Sequence, residues 1–187
     1  MNNVWELLPA RRHVGLRRLE APGPDAAALE RILYAAAQAP DHGLLRPWRF
    51  VLIPPDRRAD LGAAFEEALA RRDPAAAPAA RAAARDKAQH APCLLVAILV
   101  DAPATPIPTA EKLVSLGCAI QNMLLAAQAL GFASGLASGA ALATPAMRRL
   151  LRLEAHEQAV CFIGLGTAAV TKAPRARPQP DQFFSSL

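Results

Sequence analysis

Apolar positions recur along this chain with two periods. Leu29, Ile32, Leu33 and Ala36 share one helical face, predicting a helix from about 25 to 39 with Asp25 as N-cap and Pro40 as stop. Leu61, Phe65 and Leu69 repeat at four-residue spacing and predict a helix over 56–72. The Ala/Arg run that follows, 75–90, reads as a second, mobile and solvent-facing helix. Residues 110–130 form a long, very apolar helix ended by Gly131, a residue suited to a left-handed C-cap. Shorter helices are expected at 2–10 and 144–151. Compact apolar or β-rich runs at 49–53, 94–100, 135–138 and 159–165 predict strands, the second continuous enough to be covered on both faces. Strands interleaved with helices indicate an α/β or α+β sandwich of about four strands, in a single domain spanning 1–187. The segment 171–187 differs in kind: Pro174, Pro178 and Pro180 precede Phe183 and Phe184, as expected of an extended arm whose apolar partner lies on a second subunit.

Composition refines this picture. Of the 187 residues 53% are hydrophobic but only 5% aromatic, so the core is expected to be closely packed Ala and Leu. A chain of this length buries roughly 70% of its unfolded surface and can hold a cofactor. The net charge of +5 favours anionic ligands. It comes from Arg, the lysines being Lys87, Lys112 and Lys172 alone. Interleaved aromatics, zinc-finger spacing and a helix-turn-helix pattern are all missing, which sets a nucleic-acid partner aside. Cys93, Cys118 and Cys161 are widely spaced in apolar settings, predicting reduced, buried thiols and a cytoplasmic location. No metal-ligand spacing occurs. The apolar stretch 113–136 is broken by Ser115, Gln121, Asn122, Gln128 and Ser134, so no membrane span is expected, and the first residues do not read as a signal peptide.

Three places carry candidate chemistry. Glu6-Leu7-Leu8 leads to Arg11-Arg12-His13; alone, two Arg after a helix would merely complement its dipole. Gln38-Ala39-Pro40-Asp41-His42 runs through a turn to Arg46-Pro47-Trp48, where His42 alone would read as a solvated loop histidine. Gly117-Cys118-Ala119-Ile120-Gln121-Asn122 continues through Leu130-Gly131-Phe132 to Leu136-Ala137-Ser138-Gly139. Together these resemble the nitroreductase family, in particular its short single-domain flavoproteins, over roughly residues 6–167.

The resemblance implies an α+β fold with a central, mainly antiparallel sheet of about four strands, flanking helices and a domain-swapped C-terminal arm. It further implies a homodimer with shared flavin sites and tightly bound FMN. Arg11 and Arg12 would grip the FMN phosphate, since guanidinium forks bind phosphate oxygens bidentately. His13 stands where the family usually has Ser. Gln38 and His42 would reach the flavin of the other subunit, and Leu136, Ala137 and Ser138 would run beside the isoalloxazine. Some relatives have Arg at the place of Ala137, a charge that Arg175 or Arg177 would restore. No residue is assigned as catalytic, because the flavin performs the hydride chemistry. The implied activity is ping-pong transfer from a transient NAD(P)H to a small nitroaromatic, quinone or related conjugated acceptor, whose pocket is shaped by the excursion 59–89. No strand-borne GxGxxG is present for a separate dinucleotide site. A non-catalytic flavin carrier or sensor is the alternative.

Overall fold

The computed structural model describes residues 3–170, 173 and 176–187. In chain order the elements are α1 (Val4–Ala10), β1 (Leu19–Glu20), α2 (Ala26–Ala36), β2 (Trp48–Leu52), α3 (Arg58–Arg72), α4 (Pro78–Asp86), β3 (Cys93–Val100), α5 (Thr109–Ala129), β4 (Ala133–Ala137), α6 (Pro145–Leu151) and β5 (Glu157–Ala168). The strands form one antiparallel sheet in the order β1-β5-β3-β2, with β4 also pairing β5. The four predicted strands are all present. The fifth, β1, is two residues long, too short for any hydrophobic period to announce it.

β3 explains the layering. Cys93, Leu95, Ala97 and Leu99 pack with Ile32 of α2 and with Leu116, Ala119 and Met123 of α5. The alternate residues Leu94, Val96 and Ile98 pack with Leu61 of α3 and with Met147 and Leu151 of α6. Helices therefore cover both faces, and the strand is apolar at every position although its neighbours run antiparallel. Each such fully buried aliphatic side chain contributes about 1.5–3 kcal/mol. Between Ala97 and Ile98 the facing partner jumps from Cys161 to Ala159, so Val160 is an extra, bulged residue. The bulge moves Ala159 onto the face occupied by Phe162.

Helix ends follow their local chemistry. Asp25 accepts the Ala28 N–H at 2.8 Å and starts α2. Gly131 takes φ +86° just beyond α5, a conformation that costs other residues strain.

Two expectations hold only in part. The Ala/Arg helix does face solvent, with seven of the nine α4 residues exposed, but it is anchored on its inner side: Ala84 is buried, and α4 lies so close to α3 that a Cβ on Gly62 would meet the Arg85 carbonyl oxygen at 3.1 Å. Ala has too little apolar area to give a strong period, so the packing face was hidden. The thiols also divide: Cys93 and Cys161 are buried, and burial pushes each up to about 11, whereas Cys118 is only half-buried. In the tail, residues 176–187 contain one 3₁₀ turn, Pro180–Gln182, and leave Phe183 and Phe184 exposed.

Candidate functional site

The segment after α1 crosses β4. The Val14 N–H donates to the Ser134 carbonyl at 2.9 Å, and the Leu136 N–H points at His13 Nδ1 at 3.4 Å. His13 and Ser134 form a parallel bridge. Such closeness requires glycine beneath it, because a Cβ on Gly135 would lie 1.9 Å from the Val14 carbonyl oxygen. Residues more than a hundred positions apart, 13–14 and 134–136, are thereby brought side by side.

Arg11 and Arg12 differ in what they do. Arg12 turns back on its own helix, donating from Nη1 to the Pro9 carbonyl and, at 3.4 Å, to the Arg11 carbonyl. Arg11 is half-buried and its proton affinity is lowered, first by burial and then by the neighbouring cations Arg177 and Arg12. None of the three forms an ion pair among the described residues. Cations that lower one another's proton affinity in this way are of the type that can receive an anion's charge. Arg177 lies near enough to Arg11 for its charge to be felt there, and Arg175 lies outside the described residues.

Gln38 and His42 lie at the end of α2 and in the loop beyond it. Gln38 is exposed and donates weakly to the Tyr34 carbonyl at 3.4 Å. His42 is held by Glu111 in the first turn of α5, with Nδ1 2.7 Å from the carboxylate. The loop is conformationally costly: Gly43, Leu44 and Arg46 have φ of +66°, +55° and +48°. An Asp41 carboxylate oxygen accepts the Arg46 N–H at 2.6 Å and holds the turn. Left-handed non-glycine residues concentrate where function needs a fixed shape.

Ala137, Ser138 and Gly139 open onto a cleft of about 940 Å³. Its other walls include residues 15–18, α3 and α4 with the turn after it, Leu94 of β3 and Phe162 of β5, so the excursion that the sequence singled out does line a pocket beside this site. A smaller cavity of about 320 Å³ contains Arg12 and His13 and shares Gly15 and Arg18 with the large one. Sequence reasoning missed the basic residues at the large cleft: Arg17, Arg18, Arg71, Arg72, Lys87 and His90. The paired arginines were a visible signal, but pairing alone does not say which of them converge. Among the described residues no group of His, Cys, Asp and Glu could hold a metal, and no helix is long and apolar enough to cross a membrane.

The residues present suit an FMN. Arg11, with Arg177 and the backbone-bound Arg12 as neighbouring cations, fits a phosphate, and a partly apolar cleft of about 940 Å³ is in the range that encloses a cofactor-sized ring system.

The chain belongs to the nitroreductase family, whose model matches residues 10–167, and it is an oxidoreductase by that membership. YdjA of Escherichia coli (strain K12), provisionally named an NAD(P)H nitroreductase, is 33% identical over 98% of this chain and 98% of its own length. A Haemophilus influenzae protein, also provisionally named an NAD(P)H nitroreductase, is 31% identical over 85% of each chain. Among solved structures, a nitroreductase-like family protein from Bacillus cereus has a TM-score of 0.86 at 20% identity, covering 100% of this chain and 97% of that one. A nitroreductase with bound FMN from Bacteroides fragilis has a TM-score of 0.73 at 23% identity, covering 100% of both. At those identities the structures share the fold, the antiparallel sheet between helices described above.

Proposed function

We propose that the chain is an FMN-dependent NAD(P)H oxidoreductase acting as a homodimer on small conjugated acceptors such as nitroaromatics or quinones. The observation that carries this reading is the crossing of the segment after α1 over β4, which sets His13 against Leu136, with Arg11, Arg12 and Arg177 as neighbouring cations and the cleft lined by Ala137 and Ser138 close by. The bound FMN of the Bacteroides fragilis nitroreductase and the names of the curated relatives support it.

Bound FMN would supply the hydride chemistry, accepting from NAD(P)H and delivering to the acceptor in alternation. The chain's own residues would do the rest. Arg11, with Arg177 beside it, would hold the phosphate, and Arg12 would add charge while keeping α1 closed on its last carbonyls. His13, standing where the family usually has Ser, would fix the crossing segment on β4 through the Leu136 N–H. The main chain at Leu136, Ala137 and Ser138 would position the ring and exclude water. Gln38 and His42 would complete the site of the second subunit, carried on the strained loop that Glu111 and Asp41 steady.

A second copy would also cover apolar surface that one chain leaves open. Trp5 and Leu44 are each 77% exposed, and Tyr34 and Val114 stand out on α2 and α5. Phe183 and Phe184 of the C-terminal arm would find their cover on that copy. Free thiols fit a cytoplasmic address.

The test is the absorption spectrum of the purified protein, with the released chromophore identified by mass, followed by anaerobic addition of NADH and of NADPH. Flavin bands that bleach with either donor support the enzyme. A yellow protein that neither donor reduces supports a carrier or sensor. A protein that takes up no FMN overturns the reading, and a monomer by sedimentation at micromolar concentration overturns the shared site.

A further inference from the structure

The large cleft carries a charge pattern that a flavin ring does not need. Its floor is apolar: Phe65 and Leu69 of α3, Leu94 of β3 and Phe162 of β5, with the two phenyl rings 5.6 Å apart edge to face. Its rim is basic. Arg17 and Arg18 come from the crossing segment, Arg71 and Arg72 from the last turn of α3, and Lys87 and His90 from the turn after α4. Among the described residues no acidic side chain lines the cleft.

A solvated helix face would mix signs, and the two acids of α3 that could offset this rim are engaged elsewhere. Glu66 pairs with Arg85, and Glu67 with Arg149 at 2.9 Å. None of the six basic residues forms an ion pair among the described residues. His90 feels the excess: burial lowers its proton affinity, Arg17 and Lys87 lower it further, and only Asp86 opposes them. Arg71 and Arg72 alone would be accounted for by the C-terminal dipole of α3. Arg17, Arg18 and Lys87, arriving from separate elements, are not.

We infer that the acceptor taken at this site is a planar conjugated molecule bearing a carboxylate or phosphate, its ring on the apolar floor and its anion among Arg17, Arg18, Arg71 and Arg72. The inference rests on the flavin reading above. Arginine forks bind either oxyanion bidentately, and converging cations above low-dielectric walls concentrate anionic substrates at the mouth. The acidic group is a handle and is unchanged by the reaction. For a nitroaromatic acid, the nitro group gains two electrons and two protons and loses water to give the nitroso compound, while NAD(P)H is oxidised to NAD(P)+.

The experiment uses FMN-loaded protein and three probes: 4-nitrobenzoate, its uncharged amide 4-nitrobenzamide, and 4-nitrophenyl phosphate. Binding is read as the Kd for perturbing the oxidised flavin band, and turnover as kcat/KM. Both anions are expected to bind about tenfold more tightly than the amide at low salt. That advantage should shrink towards parity near about 0.5 M salt, where the screening length falls to a few ångströms. The double variants R71A/R72A and R17A/R18A should each cut kcat/KM for the anions several-fold more than for the amide. An anion preference for only one of carboxylate and phosphate narrows the ligand to that group and supports the inference.

Equal Kd values for anions and amide in an active, yellow enzyme overturn the inference and leave the flavin reading standing. So does a preference that neither double variant changes. Variants that alter the NADPH to NADH ratio while leaving the acceptor ratio alone assign the cations to the donor's 2′-phosphate, which also overturns it. A protein that takes up no FMN removes the flavin reading, and the inference falls with it.

Discussion

Arginine is used in two opposite ways in this molecule. Beneath α3 and at the end of β5 its charge is locked: Arg58 is 5% exposed and donates to the carbonyls of Ile53, Ala88, His90 and Ala91, and Arg49 grips Glu157 with bonds of 2.6 and 2.7 Å. At the crossing segment and around the large cleft, Arg11, Arg17, Arg18, Arg71 and Arg72 have no ion-pair partner among the described residues. The first set holds elements together and the second leaves charge for a ligand. A basic composition therefore says little until each guanidinium is assigned to one set.

The sharpest break of that division is Arg58→Met. The side chain keeps its apolar stem, but four carbonyls lose their donor, and unsatisfied buried acceptors cost about 1–3 kcal/mol each. A net loss of about 3 kcal/mol or more is expected, lowering the thermal midpoint by roughly 6–12 °C for a chain of this size. An unchanged midpoint would mean that water replaces the guanidinium and that Arg58 belongs with the open set.

Glu157 gives the next largest effect, now as a function of pH. Its carboxyl is held down to about 2, first by hydrogen bonds from Arg49 and further by the Glu154 N–H, against the opposing pull of burial. The folded value lies below the ordinary 4.5, so this contribution is complete above that pH and is lost as pH falls towards 2. Urea midpoints measured from pH 6 to 2.5 should fall steeply below 4.5. In Glu157→Gln the midpoint should start lower and fall less. Parallel curves for the two proteins would place the acid sensitivity elsewhere.

These assignments show how far the sequence could be read. Long helices and apolar strands were legible because period and caps state them locally: Asp25, Gly131 and the continuous run of β3 did what their chemistry predicts. The candidate site could be suggested only by resemblance, since His13 meets Leu136 through a crossing that no local pattern encodes. Gly135 was its sole trace, one glycine among ten. α4 was read as solvent-facing, as most of its residues are, but the single buried contact of Ala84 was hidden because alanine gives no strong period. Five Arg-Arg pairs occur in the chain, and only the fold separates their members.

Within one of those pairs, Arg11→Ala should weaken FMN binding by about 10- to 100-fold, since a charge-assisted phosphate contact is lost from a half-buried site. Arg12→Ala should cost only a few-fold, because its head is committed to the Pro9 and Arg11 carbonyls. Titration of the stripped proteins with FMN, followed by flavin fluorescence, gives both constants. Equal losses would mean that Arg12 leaves its helix when the phosphate arrives, and full retention of FMN in the double variant would sink the anchor.

The smallest effect is expected one residue from the largest. Arg57 pairs with Asp60 at 2.6 Å across one turn, and both side chains are about half exposed. Such a pair gains little Coulomb energy in water and loses side-chain freedom in forming, so its net worth is about 0–1 kcal/mol. Arg57→Ala should shift the thermal midpoint by no more than roughly 2 °C and leave FMN binding untouched. Its salt dependence should be equally slight. Asp56, Arg57 and Arg58 enter α3 together, but only Arg58 points beneath the helix onto the carbonyls of Ile53 and of the segment 88–91 that leads into β3. A loss in Arg57→Ala approaching that of Arg58→Met would mean that the two guanidiniums share those acceptors, and the division between locked and open charge would have to be redrawn at this helix end.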